Sequence, residues 1–190
     1  MRGLVIGAAL GIEARALRRG LSTTPVVHVG YRARRAHRLP DHGALLVAGF
    51  GGALTGDLRP GDIVVATEIR GTNVLVRCAG RDELADELRA DELPVVTAPL
   101  STIDHIVRPA EIAELSATGA RVVDMESAVL AATVGARPIA AVRVIVDTPD
   151  HPLLRPATLW HGTTAWRTLR RLGPAIERWA ARRTFLEPPG

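Results

Sequence analysis

Pro138-Ile139-Ala140-Ala141-Val142-Arg143-Val144-Ile145-Val146-Asp147 is the most apolar run in the chain. It shows no regular alternation of polar and apolar positions, and Thr148-Pro149 closes it. It reads as a strand from Pro138 to Val146 covered on both faces, as strands are when helices flank a largely parallel sheet. Its one internal charge is Arg143. A guanidinium there is partly buried and needs a carboxylate partner, because an unpaired charge in apolar surroundings is costly. Side chains alternate along a strand, so Arg143, Ile145 and Asp147 share a face. Arg143 and Asp147 lie about 13 Å apart along the backbone, so their heads meet only if the arginine turns that way. Glu126 is an equally good partner for it.

Working outward, short apolar runs alternate with helical patterns. Leu4 to Ile6, Pro25 to Val29, Ala44 to Ala48, Ile63 to Ile69 and Val95 to Ala98 read as strands, with Asn73 to Arg77 able to pair back as a hairpin. Ile12 to Arg19, the charged stretch Arg81 to Leu93, and Pro109 to Leu115 read as helices; Asp124 caps a further one through Val134. From Thr158 to Arg183, Trp166, Leu169, Leu172, Ile176 and Trp179 recur at helical spacing, interrupted at Gly173-Pro174. This order predicts an α/β fold with a mixed central sheet covered by helices on both faces, in a single domain over residues 1–190. Pro149 to Pro156 reads as a loop leaving the sheet, placed to cover a site.

Composition narrows the function classes. Of 190 residues, 24 are basic and 20 acidic, and every basic residue is Arg. The arginines are dispersed and lack interleaved stacking aromatics, so no nucleic-acid partner is expected. No apolar run approaches the roughly 18 to 20 residues that span a bilayer, so no stable membrane insertion is expected either. Cys78 is the single cysteine, which leaves no intramolecular disulfide or thiolate cluster and fits a reducing, cytoplasmic location.

In open α/β sheets, ligands bind beyond the carboxyl ends of the strands. Glu13 after the first strand, Gly49-Phe50-Gly51-Gly52 after the third, Asp124-Met125-Glu126 at a helix start and Asp147 at a strand end all fall there. Singly each is weak. A carboxylate in a first helical turn serves equally as a dipole partner, and the glycines lack dinucleotide or Walker spacing and could be a tight turn. Asp147 could be an acid held protonated by apolar surroundings, or the cap of its loop.

Together the residues carry a resemblance. Val5-Ile6-Gly7-Ala8 with Glu13, Gly51-Gly52-Ala53-Leu54 with Leu58 to Val64, Val123 to Ala128, and Arg143 to Asp147 resemble, in order, the motifs of the nucleoside phosphorylase superfamily. Within it the chain is similar to methylthioadenosine/S-adenosylhomocysteine nucleosidases. Through Asp124-Met125-Glu126-Ser127 and the Pro-rich segment after Asp147 it looks closer still to hopanoid-associated phosphorylases. The resemblance spans residues 4 to about 156.

It implies an enzyme that cleaves the N-glycosidic bond of an adenine nucleoside, through a cationic sugar and a departing base. Asp147 would protonate the base, Glu126 would hold the ribose hydroxyls and the developing cation above Met125, and Glu13 would activate water. Arg143 would orient Glu126 or touch the sugar, and the backbone at Gly49, Phe50 and Gly51 would approach the substrate closely. Relatives place a Ser where Gly49 stands and a longer helix where Tyr31 to Arg35 stand. Arg32 could therefore clamp a phosphate or be an ordinary solvated side chain. No cofactor or metal is expected; inorganic phosphate remains open as a co-substrate against water. The partners implied are a purine nucleoside, 5′-substituted and adenosylhopane-like, and a second copy of the chain in a homodimer meeting at Gly71 to Cys78. Phosphorolysis of ordinary purine nucleosides and a weakly catalytic nucleoside sensor are the alternatives.

Overall fold

The structure, a computed structural model, describes residues 3–148 and 158–183. Its strands are β1 (Leu4–Ala8), β2 (Val26–His28), β3 (Ala44–Ala53), β4 (Ile63–Gly71), β5 (Val74–Arg77), β6 (Val95–Thr102), β7 (Val122–Asp124) and β8 (Ile139–Asp147). The helices are α1 (Gly11–Gly20), α2 (Arg81–Ala90), α3 (Pro109–Ala117), α4 (Ser127–Val134), α5 (Thr158–Arg171) and α6 (Gly173–Arg182). The strands form one sheet in the order β2-β1-β3-β7-β6-β4-β5, with β8 pairing to both β3 and β4. The β1/β2, β1/β3, β3/β8, β4/β6 and β6/β7 pairs are parallel. The β3/β7, β4/β5 and β4/β8 pairs are antiparallel. This is the mixed α/β architecture expected, and β3, β8, β4, β6 and β7 close it into a ring.

β8 is at the centre, as its composition demands. Every residue from Ile139 to Ile145 is buried. Val142 and Val144 pack into the core beneath α1, α2, α5 and α6, while Ala141 and Ile145 enter the core beneath α4. The helical tail anchors the first of these cores. Trp179 is 2% exposed and donates its indole N–H to the Gly80 carbonyl at 3.0 Å; burying a side chain of that kind contributes a few kcal/mol. Glycine is required where α1 crosses the α5–α6 junction. A Cβ on Gly20 would lie 1.9 Å from the Arg170 carbonyl oxygen, and one on Gly173 would lie 2.0 Å from that of Gly20. Among the described residues, no helix is long and apolar enough to cross a membrane.

Some boundaries differ from the sequence reading. β3 does not end at Ala48 but continues through the glycines to Ala53, and its last residues pair with β7. The glycine cluster is therefore strand rather than turn. α2 stops at Ala90 rather than Leu93, where Glu92 takes a left-handed φ of 57°. Asp124 ends β7, and Glu126 holds the N-cap position of α4. The Pro149 to Pro156 stretch lies outside the described residues.

Candidate active site

The glycines of β3 explain how the site is assembled. Gly49 is in register with Arg143 on β8. A Cβ at Gly49 would lie 2.6 Å from Glu13 Oε1 and 2.8 Å from Arg143 Nη1. The absent side chain leaves room for both the carboxylate and the guanidinium beside the strand. Gly51 serves the same end, since its Cβ would lie 2.8 Å from Val122 Cγ2 and 3.1 Å from Arg143 Cβ. At Gly52 the neighbour is Asp147, whose Oδ1 would be 3.0 Å from a Cβ. A register shift between Gly51 and Gly52 sets Asp147 opposite Gly52.

Glu13 reaches this point from the first turn of α1. Its Oε2 accepts the Leu10 N–H at 2.7 Å, which caps the helix, and its Oε1 accepts the Phe50 N–H at 2.7 Å. With 2% of its surface exposed, its carboxyl is pushed up to about 7. Loss of hydration outweighs the two N–H donors and Arg143, and the neighbouring Glu126 adds to the rise.

Arg143 is fully enclosed, and its partner is neither Asp147 nor Glu126. Its guanidinium pairs with Asp124, also enclosed, and donates to Ser127 Oγ at 2.9 Å. The reason lies at the β7–α4 junction. Asp124 accepts the Thr102 hydroxyl at 2.6 Å, the Ser127 hydroxyl at 2.6 Å and the Ser127 N–H at 3.2 Å, so it is locked at the start of α4 over β8. Glu126 turns elsewhere. Its Oε1 accepts the main-chain N–H of Arg32 at 2.9 Å. Burial raises the Glu126 carboxyl, against the pull of Arg143 and that N–H. Three carboxylates thus surround one guanidinium, and all three hold it protonated.

Asp147, at the exit of β8, is half-buried with its carboxyl pushed up to about 6 by loss of hydration. Met125 lines a groove of about 580 Å³ together with Arg32, Thr102, Ile103, Asp104 and Ala128. The Arg32 side chain reaches Asp104, which lines the same groove, at 3.4 Å with 40% of its side-chain surface exposed. The structure therefore gathers Glu13, Gly49, Phe50, Gly51 and Arg143 around one point of β3, with Glu126 acting on Arg143 through its charge and Asp147 four residues beyond Arg143 on the same strand. The sequence reading missed Asp124 and Ser127 as partners of Arg143, and Thr102 as a partner of Asp124. The available signal was an acidic residue followed three positions later by Ser at a helix start.

The model of the phosphorylase superfamily matches residues 16–172. The chain belongs to that superfamily. The match takes in Gly49, Glu126, Arg143 and Asp147 and begins just after Glu13. No curated protein matches the chain. Among solved structures of the superfamily's fold, a 5′-methylthioadenosine/S-adenosylhomocysteine nucleosidase from Neisseria meningitidis is similar at a TM-score of 0.79 and 17% identity, covering 94% of this chain and 99% of that one. The nucleosidase of the same description from Campylobacter jejuni has a TM-score of 0.78 at 13% identity, with 94% and 98% covered. A futalosine hydrolase from Helicobacter pylori has 0.75 at 14%, with 94% and 100% covered. The nucleoside phosphorylase-like fold and an enzyme of that superfamily, both expected from the motifs, are borne out by these matches.

Proposed function

We propose that this chain hydrolyses the N-glycosidic bond of an adenine nucleoside bearing an apolar 5′ substituent. The observation that carries this reading is the pairing of two carboxyls of opposite duty at the carboxyl ends of β1 and β8. Glu13 sits on the backbone N–H of Phe50 beside Arg143, poised to take a proton from water. Asp147 is held where a carboxyl keeps its proton longer than usual, poised to give one to the departing base. Between them Glu126 supplies a fixed negative charge for the cationic sugar. A pure nucleoside sensor needs neither the acid nor the base.

Water is favoured over phosphate by charge. The two backbone N–H groups that would cradle an anion, those of Leu10 and Phe50, already hold the Glu13 carboxylate, and the guanidinium beside it is paired with Asp124. The exposed Arg32 pairs with Asp104 instead of facing this point. The apolar 5′ substituent, of the adenosylhopane kind, is supported by Leu10, Ile12 and Tyr31, which stand exposed just beyond the adjacent ends of β1 and β2.

Chromatography of adenine and sugar released from a panel of 5′-substituted adenosines, with and without inorganic phosphate, tests the reading. Expected are adenine and free sugar at a rate indifferent to phosphate, fastest with apolar 5′ groups. A sugar 1-phosphate whose formation saturates in phosphate would overturn hydrolysis. No base release from any substrate would leave only a binding protein.

The chain works as one unit over its length and as a homodimer in this reading. The supporting surface is the groove that Gly71, Thr72, Val74, Val129 and Ala132 help to line. Next to it in the chain, Leu75 and Ile106 are 69% and 77% exposed, an apolar surface that a second copy would cover. Sedimentation at micromolar concentration should show a dimer, and Leu75→Glu should shift it toward monomer. A wild-type monomer contradicts the assembly.

A further inference from the structure

The turn that follows β2 carries backbone strain with no local reason. Arg32 adopts φ 54° and ψ 33°, and Ala33 follows at φ 53°. Two successive non-glycine residues in the left-handed region are disfavoured, because Cβ crowds the following carbonyl, and such strain persists only when the surroundings impose it. The surroundings here can be named. The Ala33 N–H donates to the Gly30 carbonyl at 2.9 Å and the Arg35 N–H to that of Val29 at 2.7 Å, which ties the base of the turn. Ala33, 5% exposed, is packed in the core beneath α4. What the strained backbone accomplishes is a single contact, the Arg32 N–H aimed at Glu126 Oε1 at 2.9 Å.

We propose that Arg32 is a positioning residue for Glu126, acting through its main-chain N–H and its left-handed backbone rather than through its guanidinium. The side chain leaves in another direction, toward Asp104 on the rim of the groove. Glu126 occupies the N-cap of α4 without a side-chain cap contact, so its own helix does not fix the carboxylate. The Arg32 N–H does, and it opposes the burial that would protonate the carboxyl. The other charged groups acting on this site are Arg143 from β8, Asp124 from β7 and Glu13 from α1. Of these only Arg143 favours the ionised form, and it is committed to Asp124. Beside Arg143 and the Met125 N–H, the strained turn thus helps to keep Glu126 ionised, and it aims the carboxylate from a separate element. This inference rests on the role given above to Glu126 at the sugar.

The test compares two substitutions. Arg32→Gly removes the guanidinium, retains the N–H and accepts φ 54° with ease; a fall in kcat of about threefold is expected from the looser turn. Arg32→Pro removes the donor and forbids the left-handed backbone. It should lower kcat by about 10- to 100-fold, the weight of one hydrogen bond to a charged group, with a smaller change in KM. The acid limb of its pH profile should move to higher pH, because Glu126 has lost a group that stabilises its charge. Equal losses in the two variants would place the effect in the guanidinium and overturn the proposal, as would an Arg32→Pro enzyme close to wild type. A second measurement needs neither turnover nor the proline variant to fold. In the ¹⁵N-labelled wild-type protein, the Arg32 amide proton should move with pH as Glu126 ionises, and in Glu126→Gln that movement should vanish. An amide indifferent to pH overturns the contact, whereas a chain that releases base from no nucleoside overturns only the functional reading.

Discussion

Arg143→Met will lower the stability of the fold by about 3–5 kcal/mol, the cost of leaving buried charge without its partner. Methionine fills much of the volume and suits the flanking valines, so lost packing is a minor part. The larger part is electrostatic. Asp124, Glu126 and Glu13 all act on this one guanidinium, and each is less than a tenth exposed. Without it the Glu13 and Glu126 carboxyls, which burial already raises, move further above the ordinary range, and the folded state binds protons that the unfolded chain does not. Stability is then lost as pH rises from the ordinary carboxyl range through these raised values, so the deficit of the variant is largest at neutral pH and shrinks toward pH 4. Urea denaturation of both proteins at several pH values checks this. A deficit under about 1 kcal/mol, or one that does not vary with pH, would mean that the cluster is solvated and the arginine is not its counter-charge. Adding Asp124→Leu to Arg143→Met should restore part of the loss, since the two sites are coupled through one contact.

How far the sequence discloses such a cluster depends on whether the requirement is local. The apolar run from Ile139 to Val146 discloses a central strand because burial on both faces is written into its composition. That Arg143 must find a carboxylate follows from the same run. Which carboxylate does not follow, because Asp124 and Glu126 stand two residues apart at a strand-to-helix junction, and the Thr102 and Ser127 hydroxyls select between them. The glycines of β3 mislead for a related reason. Locally they resemble a turn, yet their lack of side chains serves Glu13, Arg143 and Asp147, which arrive from other elements. Arg32 is the least legible of all. Its contribution is a backbone N–H in a conformation that its residue type disfavours, and nothing in the chain around it marks that.

Under the proposed hydrolysis, with Asp147 as the general acid, Asp147→Asn will reduce adenine release by about a hundredfold or more, while leaving the folded protein at least as stable. The amide matches the carboxyl in size and still hydrogen-bonds, but it has no proton to give to the leaving base. The pH dependence separates this from a merely structural loss. In the proposed mechanism Asp147 must be protonated to act and Glu13 must be ionised, with carboxyls pushed up to about 6 and about 7. The wild-type kcat/KM should therefore rise and then fall, with a maximum between those values, and the variant should lose the descending alkaline limb that Asp147 supplies. Stability moves the opposite way. Because the folded state holds the Asp147 proton up to about 6, stability falls as pH rises from the ordinary aspartate range through that value. Asparagine has no such penalty. The thermal midpoint of Asp147→Asn should match wild type near pH 4 and exceed it at pH 7. An activity loss accompanied by a lower midpoint at neutral pH would show that Asp147 holds its loop in place instead of protonating the base.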